Sequence, residues 1–204
     1  MRPRTRYMLF DGEASMAVDV ATARRKFTRA EYHRMGEVGI LKPTDRVELI
    51  RGEIVEMSPI GPRHSAFVDN LTQLLVTRLT GRAIASVQNP VVLADDSEPQ
   101  PDLKILRRRS LPYKQRTASA EDTLLLIEVA ETSLAYDRSA KLRLYAETGI
   151  PEYWVADGVA ESVEVHRTPH AGGYQDATRV VGAGATVSLQ AFPDVTLTLA
   201  EIFA

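Results

Sequence analysis

An unbroken apolar run, Leu124-Leu125-Leu126-Ile127, ends at a carboxylate, Glu128. A strand with water on one face alternates apolar and polar side chains, so this run predicts a strand buried on both faces, over residues 123–130. A buried carboxylate is costly without a partner that compensates its charge. A divalent cation is one such partner, and Glu128 is therefore a candidate metal ligand.

The rest of the chain shows the alternation of helices and strands that is typical of an α/β protein. Apolar spacing of three to four residues predicts a helix opened by Pro62 and His64 and ended by Gly81, and a second helix over 137–148. Shorter apolar stretches predict strands over 84–93, 102–106 and 153–156. The sequence thus predicts a mixed central sheet flanked by helices.

Further elements are predicted on both sides of this core, which spans about 62–157. Thr28 and Glu31 form a capping-box pattern that predicts a short helix, and Gly52 predicts a hairpin turn within 46–57. Alternating valines beyond Asp157 predict a β extension over 158–204. Residues 1–26 lack periodicity and predict a flexible tail, so that 27–204 would form a single domain.

Composition excludes several classes of protein. The chain has 204 residues and no cysteine, which excludes disulfides, thiolate zinc sites and cysteine nucleophiles. Neither a secretory signal nor an apolar stretch of 18 residues is present, and we expect a soluble cytoplasmic protein. A net charge of −2 argues against a strongly basic coat for nucleic acid.

Three residues on neighbouring predicted elements have the chemistry of a hydrolytic metal site. Asp102 opens one strand, Glu128 ends the next, and Lys141 lies on the helix that follows. Two carboxylates and a lysine suit metal-assisted hydrolysis of phosphodiester bonds. An ordinary alternative exists for the lysine, because Asp137 lies four residues earlier and the two side chains could form an exposed ion pair.

Several motifs together resemble a known family. The chain is similar to the Uma-two family of putative restriction endonucleases, placed in the PD-(D/E)XK nuclease superfamily. The resemblance covers about residues 28–203. The residues that carry it are Glu48-Leu49-Ile50-Arg51-Gly52-Glu53-Ile54-Val55, Pro101-Asp102, Glu128-Val129-Ala130, Asp137, Lys141, Tyr145 and Gly149-Ile150-Pro151-Glu152-Tyr153-Trp154.

The resemblance implies a restriction-endonuclease-like fold and a Mg²⁺-dependent or Mn²⁺-dependent endonuclease. Asp102 and Glu128 would bind the metal and Glu48 would be a third acid near it. His64 would face the site from its helix. In the superfamily pattern a lysine follows the acid by two residues, but Ala130 occupies that position here. Lys141 is the predicted substitute.

The predicted partner is nucleic acid, most simply DNA, and a homodimer is expected. The basic segment Arg107-Arg108-Arg109, with Lys114 and Arg116, is either a phosphate clamp or a solvated loop. Ala130 also leaves a second interpretation open. In that alternative, the chain is a catalytically degenerate, homodimeric nuclease-fold protein that acts as a DNA-binding or interaction module.

Overall fold

The computed structural model describes residues 24–109 and 113–204, which form five α-helices and ten strands. The helices are α1 (Arg29–Glu37), α2 (Pro62–Leu79), α3 (Leu134–Tyr136), α4 (Leu142–Glu147) and α5 (Leu199–Ile202). The strands are β1 (Val47–Ile50), β2 (Glu53–Glu56), β3 (Ala83–Val87), β4 (Leu103–Arg107), β5 (Thr123–Ala130), β6 (Glu152–Asp157), β7 (Ser162–His170), β8 (Gly173–Val181), β9 (Thr186–Leu189) and β10 (Phe192–Thr198).

A six-stranded mixed sheet in the order β3-β4-β5-β6-β7-β8 forms the centre of the protein. Strands β5 and β6 are parallel, and the other neighbouring strands are antiparallel. All residues of β5 are buried, as its uninterrupted apolar run predicts. The predicted central strand, the mixed sheet and the order of helix, three strands, helix and strand are confirmed.

The two faces of β5 contribute to separate apolar clusters. Leu125 and Ile127 pack in one cluster with the buried face of α2. Leu126 and Ala130 point the other way and pack with residues of α4 and β6. Because side chains alternate along a strand, Glu128 shares its face with Leu126 and Ala130. Its carboxylate therefore emerges on the side that the α3–α4 crossover covers.

The amino-terminal hairpin forms where the sequence predicts it. Strands β1 and β2 pair antiparallel around Arg51 and Gly52, both of which have positive φ (51° and 76°). Glycine adopts this conformation at little cost, which explains its place in the turn. The hairpin sets Glu48 against the end of the central sheet.

Two predicted elements differ from the structure. The strand predicted over 84–93 ends at Val87, because Gln88 has a φ of 46° and Pro90 follows shortly after. The predicted β extension is formed by β7 and β8, which continue the central sheet, and by β9 and β10, which pair separately from it. A π-helical turn, Asp137–Lys141, interrupts the helix predicted over 137–148. The predicted tail lies mostly outside the described residues.

In the part of the chain that the structure describes, no helix is both long and apolar enough to cross a membrane.

Candidate active site

Asp102 lies immediately before β4, next to the carboxyl end of β5. Leu103 pairs with Ile127 in the antiparallel register, which places Asp102 opposite Glu128. Directly opposed residues have Cβ atoms about 4.5–5.5 Å apart. Asp102 Oδ2 accepts a hydrogen bond of 2.9 Å from the backbone N–H of Val129. The two acids are thus held side by side on neighbouring segments.

Two side chains hold the other oxygen of Asp102. His64 Nε2 lies 3.0 Å from Asp102 Oδ1, and Gln88 Nε2 donates to the same oxygen over 3.4 Å. The hydrogen bond to Asp102 raises the pKa of His64, although burial opposes this shift. His64 therefore contacts the predicted site through Asp102, from the first turn of α2.

The carboxylate of Glu128 is buried and receives two strong donors. Its Oε1 accepts from the Tyr145 hydroxyl at 2.7 Å and from Lys141 Nζ at 3.0 Å. Burial raises the pKa of Glu128 to about 8, while the ammonium of Lys141 opposes that increase. A buried acid of this kind favours a nearby cation.

Lys141 reaches Glu128 because of the π-helical turn at Asp137–Lys141. A π turn widens the helix by one residue and changes the direction of the side chains that follow it. Lys141 is only 5% exposed. Burial lowers its pKa, but the carboxylates of Glu128, Glu48 and Asp137 outweigh burial and hold it above the ordinary value for lysine. Its ammonium is therefore charged.

Glu48 approaches the same lysine from the hairpin. Its Oε1 lies 3.3 Å from Lys141 Nζ, and its Oε2 accepts from the backbone N–H of Gln100 at 3.1 Å. Lys141 thus bridges two buried carboxylates from different parts of the chain. Glu53, another acid of the hairpin, is exposed and binds Lys26 at 2.8 Å, away from this cluster.

Asp137 is buried as well, so an exposed Asp137–Lys141 pair does not form. Its carboxylate is 2% exposed and accepts from Ser133 Oγ at 2.6 Å. Burial raises the pKa of Asp137, against the effects of Lys141 and Ser133. Asp137 and Lys141 are both buried, which rules out the alternative of an ordinary exposed ion pair.

These residues line one cavity of about 500 Å³. Its wall carries the carboxylates of Glu48, Glu56, Asp102, Glu128, Glu131 and Asp137. The cationic side chains that line it are Lys141 and Arg46, together with His64. This excess of acids makes the cavity suited to a cation rather than to a bare anion.

The donor set suits a hard divalent cation. Among the residues described, no three His, Cys, Asp or Glu side chains are grouped closely enough to form a metal site on their own. Mg²⁺, however, is commonly bound by one or two carboxylates, keeps several waters and takes further oxygens from a phosphate substrate. Asp102 and Glu128 fit that requirement. Glu48 fits it less well, because Lys141 Nζ lies 3.3 Å from its Oε1.

The predicted basic loop lies at the far end of β4 from Asp102. Five residues of strand span about 17 Å, so the loop does not flank the carboxylates. Arg109 and Arg116 both bind the carboxylate of Asp122, at 3.2 and 2.6 Å. These two arginines therefore serve a local ion-pair network.

Sequence reasoning missed three side chains at the site. Gln88 contacts Asp102, Tyr145 contacts Glu128, and Tyr136 lines the cavity. Tyr145 follows Lys141 by four residues, a spacing that places both on one helix face and could have indicated the contact. Gln88 and Tyr136 reach the site only through the tertiary fold.

Comparisons with known proteins agree with this fold. The family model Uma2, described as "Putative restriction endonuclease", matches residues 29–200. A putative nuclease belonging to DUF820 from Anabaena variabilis ATCC 29413, known from a crystal structure, matches with a TM-score of 0.65. It is 18% identical, and the match covers 82% of this chain and 95% of that one, so the likeness shows the fold alone. No curated protein matches the chain.

Proposed function

The chain belongs to the Uma2 (Uma-two) family of putative restriction endonucleases, and we propose that it is a Mg²⁺-dependent endonuclease that hydrolyses phosphodiester bonds of DNA. The observation that carries this proposal is the position of Asp102, immediately before β4, opposite Glu128 of β5, at the wall of one acidic cavity. Lys141 contacts the second of these acids from the adjoining π-helical turn.

Asp102 and Glu128 would hold the cation, Mg²⁺ or Mn²⁺, with Glu48 in support. Such an ion, when bound, lowers the pKa of a water and stabilises charge on phosphate oxygens. His64 and the Val129 N–H hold Asp102 in place, and Tyr145 does the same for Glu128. These contacts keep both carboxylates oriented before the substrate arrives.

Lys141 has the donors for a direct role in the reaction. An ammonium group has three N–H donors; Lys141 Nζ donates to Glu128 Oε1 at 3.0 Å and lies 3.3 Å from Glu48 Oε1. A donor of this ammonium that the carboxylates do not engage would orient the attacking water or bind a phosphate oxygen. A positioned cation of this kind stabilises the charge that develops in the transition state. This role replaces that of the strand lysine whose position Ala130 occupies.

The decisive test is nicking of supercoiled plasmid DNA with Mg²⁺, with Mn²⁺ and with EDTA. We expect cleavage only with metal, and a loss of at least about 10²-fold in Glu128→Gln, since such a group typically contributes that much. Glu53→Gln is the matched control, because Glu53 is an exposed acid outside the cluster. Equal cleavage by wild type and Glu128→Gln would contradict the proposed site.

The same plasmid experiment distinguishes an active nuclease from the alternative, a catalytically degenerate protein that only binds DNA. Plasmid that stays intact but shifts in a gel, with a salt-dependent affinity, would favour a DNA-binding module over a nuclease.

We further propose that the protein acts on DNA in the cytoplasm and does so as a homodimer. Sedimentation analysis of the purified chain tests the second statement, and a monomer would refute it.

A further inference from the structure

The hydroxyl of Tyr136 is buried and lacks a hydrogen-bond partner within the described residues. A buried polar atom without a partner costs free energy, so such atoms are rare in folded proteins. Tyr136 is the last residue of α3 and lines the acidic cavity. Its position suggests that the missing partner comes from a bound molecule.

The carboxylates near Tyr136 are already bound by other donors. Glu128 accepts from Lys141 and Tyr145, Glu48 accepts from the Gln100 N–H, and Asp137 accepts from Ser133. Within the described residues the phenol of Tyr136 donates to none of these acids, although they lie around it.

Tyr136 is a hydrogen-bond donor at neutral pH. Burial, followed by the charge of Glu48, raises its pKa to about 12, so the hydroxyl keeps its proton. A phosphodiester carries non-bridging oxygens that accept such bonds. A phosphate that enters a cavity lined by six carboxylates needs donors as well as a cation.

We propose that the Tyr136 hydroxyl donates a hydrogen bond to a non-bridging oxygen of the substrate phosphate, which makes Tyr136 a further binding residue of the active site. This inference rests on the proposed function, because the phosphate is that of the DNA to be cleaved. It also accounts for the retention of an unpaired hydroxyl in a buried position.

Tyr136→Phe removes the hydroxyl and keeps the ring. We expect a loss of about 10- to 100-fold in kcat/KM, the usual effect of one hydrogen bond to a charged group. The stability of the free protein should stay the same or rise, since no bond is lost there. Activity and stability would therefore change in ways that a merely structural role does not produce.

Tyr174→Phe is the matched control. The Tyr174 hydroxyl donates to the Ile150 carbonyl at 3.0 Å, and Tyr174 does not line the cavity. We expect this variant to keep its activity and to lose stability. Urea unfolding of the metal-free proteins and plasmid cleavage are measured on all three proteins.

Binding of a short duplex in Ca²⁺ separates failure of this inference from failure of the proposed function. A wild type that cleaves no DNA refutes the proposed function, and a weaker affinity of Tyr136→Phe for the duplex would still support the contact. Equal affinity, or no binding by either protein, overturns it. Wild-type cleavage by Tyr136→Phe, or a lower stability of that variant, also overturns the role of the hydroxyl.

Discussion

Replacement of Lys141 by methionine removes one positive charge from between two buried carboxylates. At an effective dielectric constant of about 20, unit charges 3.0 and 3.3 Å apart attract by about 5.5 and 5 kcal/mol. Desolvation of the ammonium in the wild type offsets much of this attraction. Loss of one partner from a buried pair typically costs about 3–5 kcal/mol, and we expect a destabilisation in that range.

The destabilisation of Lys141→Met should depend on pH. In the folded variant, burial keeps the pKa of Glu128 above its value in the unfolded chain, without the ammonium that opposes this shift in the wild type. In both proteins the folded state then binds more protons than the unfolded state, so the stability of both falls as pH rises from about 4.5. Above about pH 8 the Glu128 of the wild type has lost its proton, and only the variant continues to lose stability through this group. We expect the cost to be larger at pH 8.5 than at pH 6.

Urea unfolding at these two pH values, followed by fluorescence, measures the effect. Trp154 is the only tryptophan in the chain and lies fully buried beside β5, which makes it a direct reporter of unfolding. The double variant Lys141→Met/Glu128→Gln removes the uncompensated acid and should recover at least half of the lost stability. Lys42→Met, at an exposed lysine, is the control and should change stability by less than about 0.5 kcal/mol.

Two results would refute this reasoning. One is a Lys141→Met protein whose free energy of unfolding lies within about 1 kcal/mol of the wild-type value at pH 8.5, since loss of an ammonium between two buried carboxylates should cost more than that. The other is a double variant no more stable than the single one, which would show that Glu128 does not carry the uncompensated charge.

Three further outcomes are expected. We expect Mn²⁺ to raise the melting temperature of the wild type, since a metal concentration of about 100 Kd stabilises the folded protein by about 2.7 kcal/mol. Asp102→Asn should abolish this rise. An undiminished rise of the variant in differential scanning fluorimetry would exclude Asp102 as a ligand. Gly52→Ala should destabilise the protein by about 1–3 kcal/mol in urea, because φ is 76° and a Cβ would lie 2.7 Å from that of Lys26; unchanged stability would contradict the strained turn. Burial lowers the pKa of His166, so this histidine is protonated in the unfolded chain first, and wild-type stability should fall as pH drops below about 6.5. His166→Phe should lose less stability than the wild type between pH 7 and pH 5. Curves of unfolding free energy against pH that run parallel for the two proteins would disprove this.

The sheet could be predicted because the burial of a strand is reflected in its pattern of apolar residues. The apolar run before Glu128 can lie only where both faces are covered, and Gly52 allows a turn that most residues resist. The strand predicted through Leu93 was too long because apolar residues continue past Val87. The left-handed conformation of Gln88, which ends that strand, has no signature in an apolar pattern.

The site was harder to predict, because its contacts depend on the direction in which each side chain points rather than on the spacing of residues along the sequence. The sequence indicates that Glu128 is buried and that Lys141 lies on the next helix, but an α-helix and a π-helical turn share nearly the same apolar pattern. The three-dimensional structure therefore decides between an exposed pair with Asp137 and a buried contact with Glu128. Tyr136 and Gln88 come from segments whose approach to the cavity is set by the whole fold.

Because Lys141 lies on the crossover between β5 and α4 and its acid Glu128 lies on β5, the contact between them makes this crossover intolerant of changes in length. A lysine on the same strand as its acid keeps its distance whatever happens in the loops, but Lys141 is separated from Glu128 by a loop and a turn. The π turn takes up one extra residue and leaves the helical residues around it in register, whereas a change of one residue elsewhere in the helical part of the crossover would rotate the ammonium by about 100° about the helix axis. Relatives that carry their lysine on this helix should therefore keep the length of this crossover fixed while the surface loops vary.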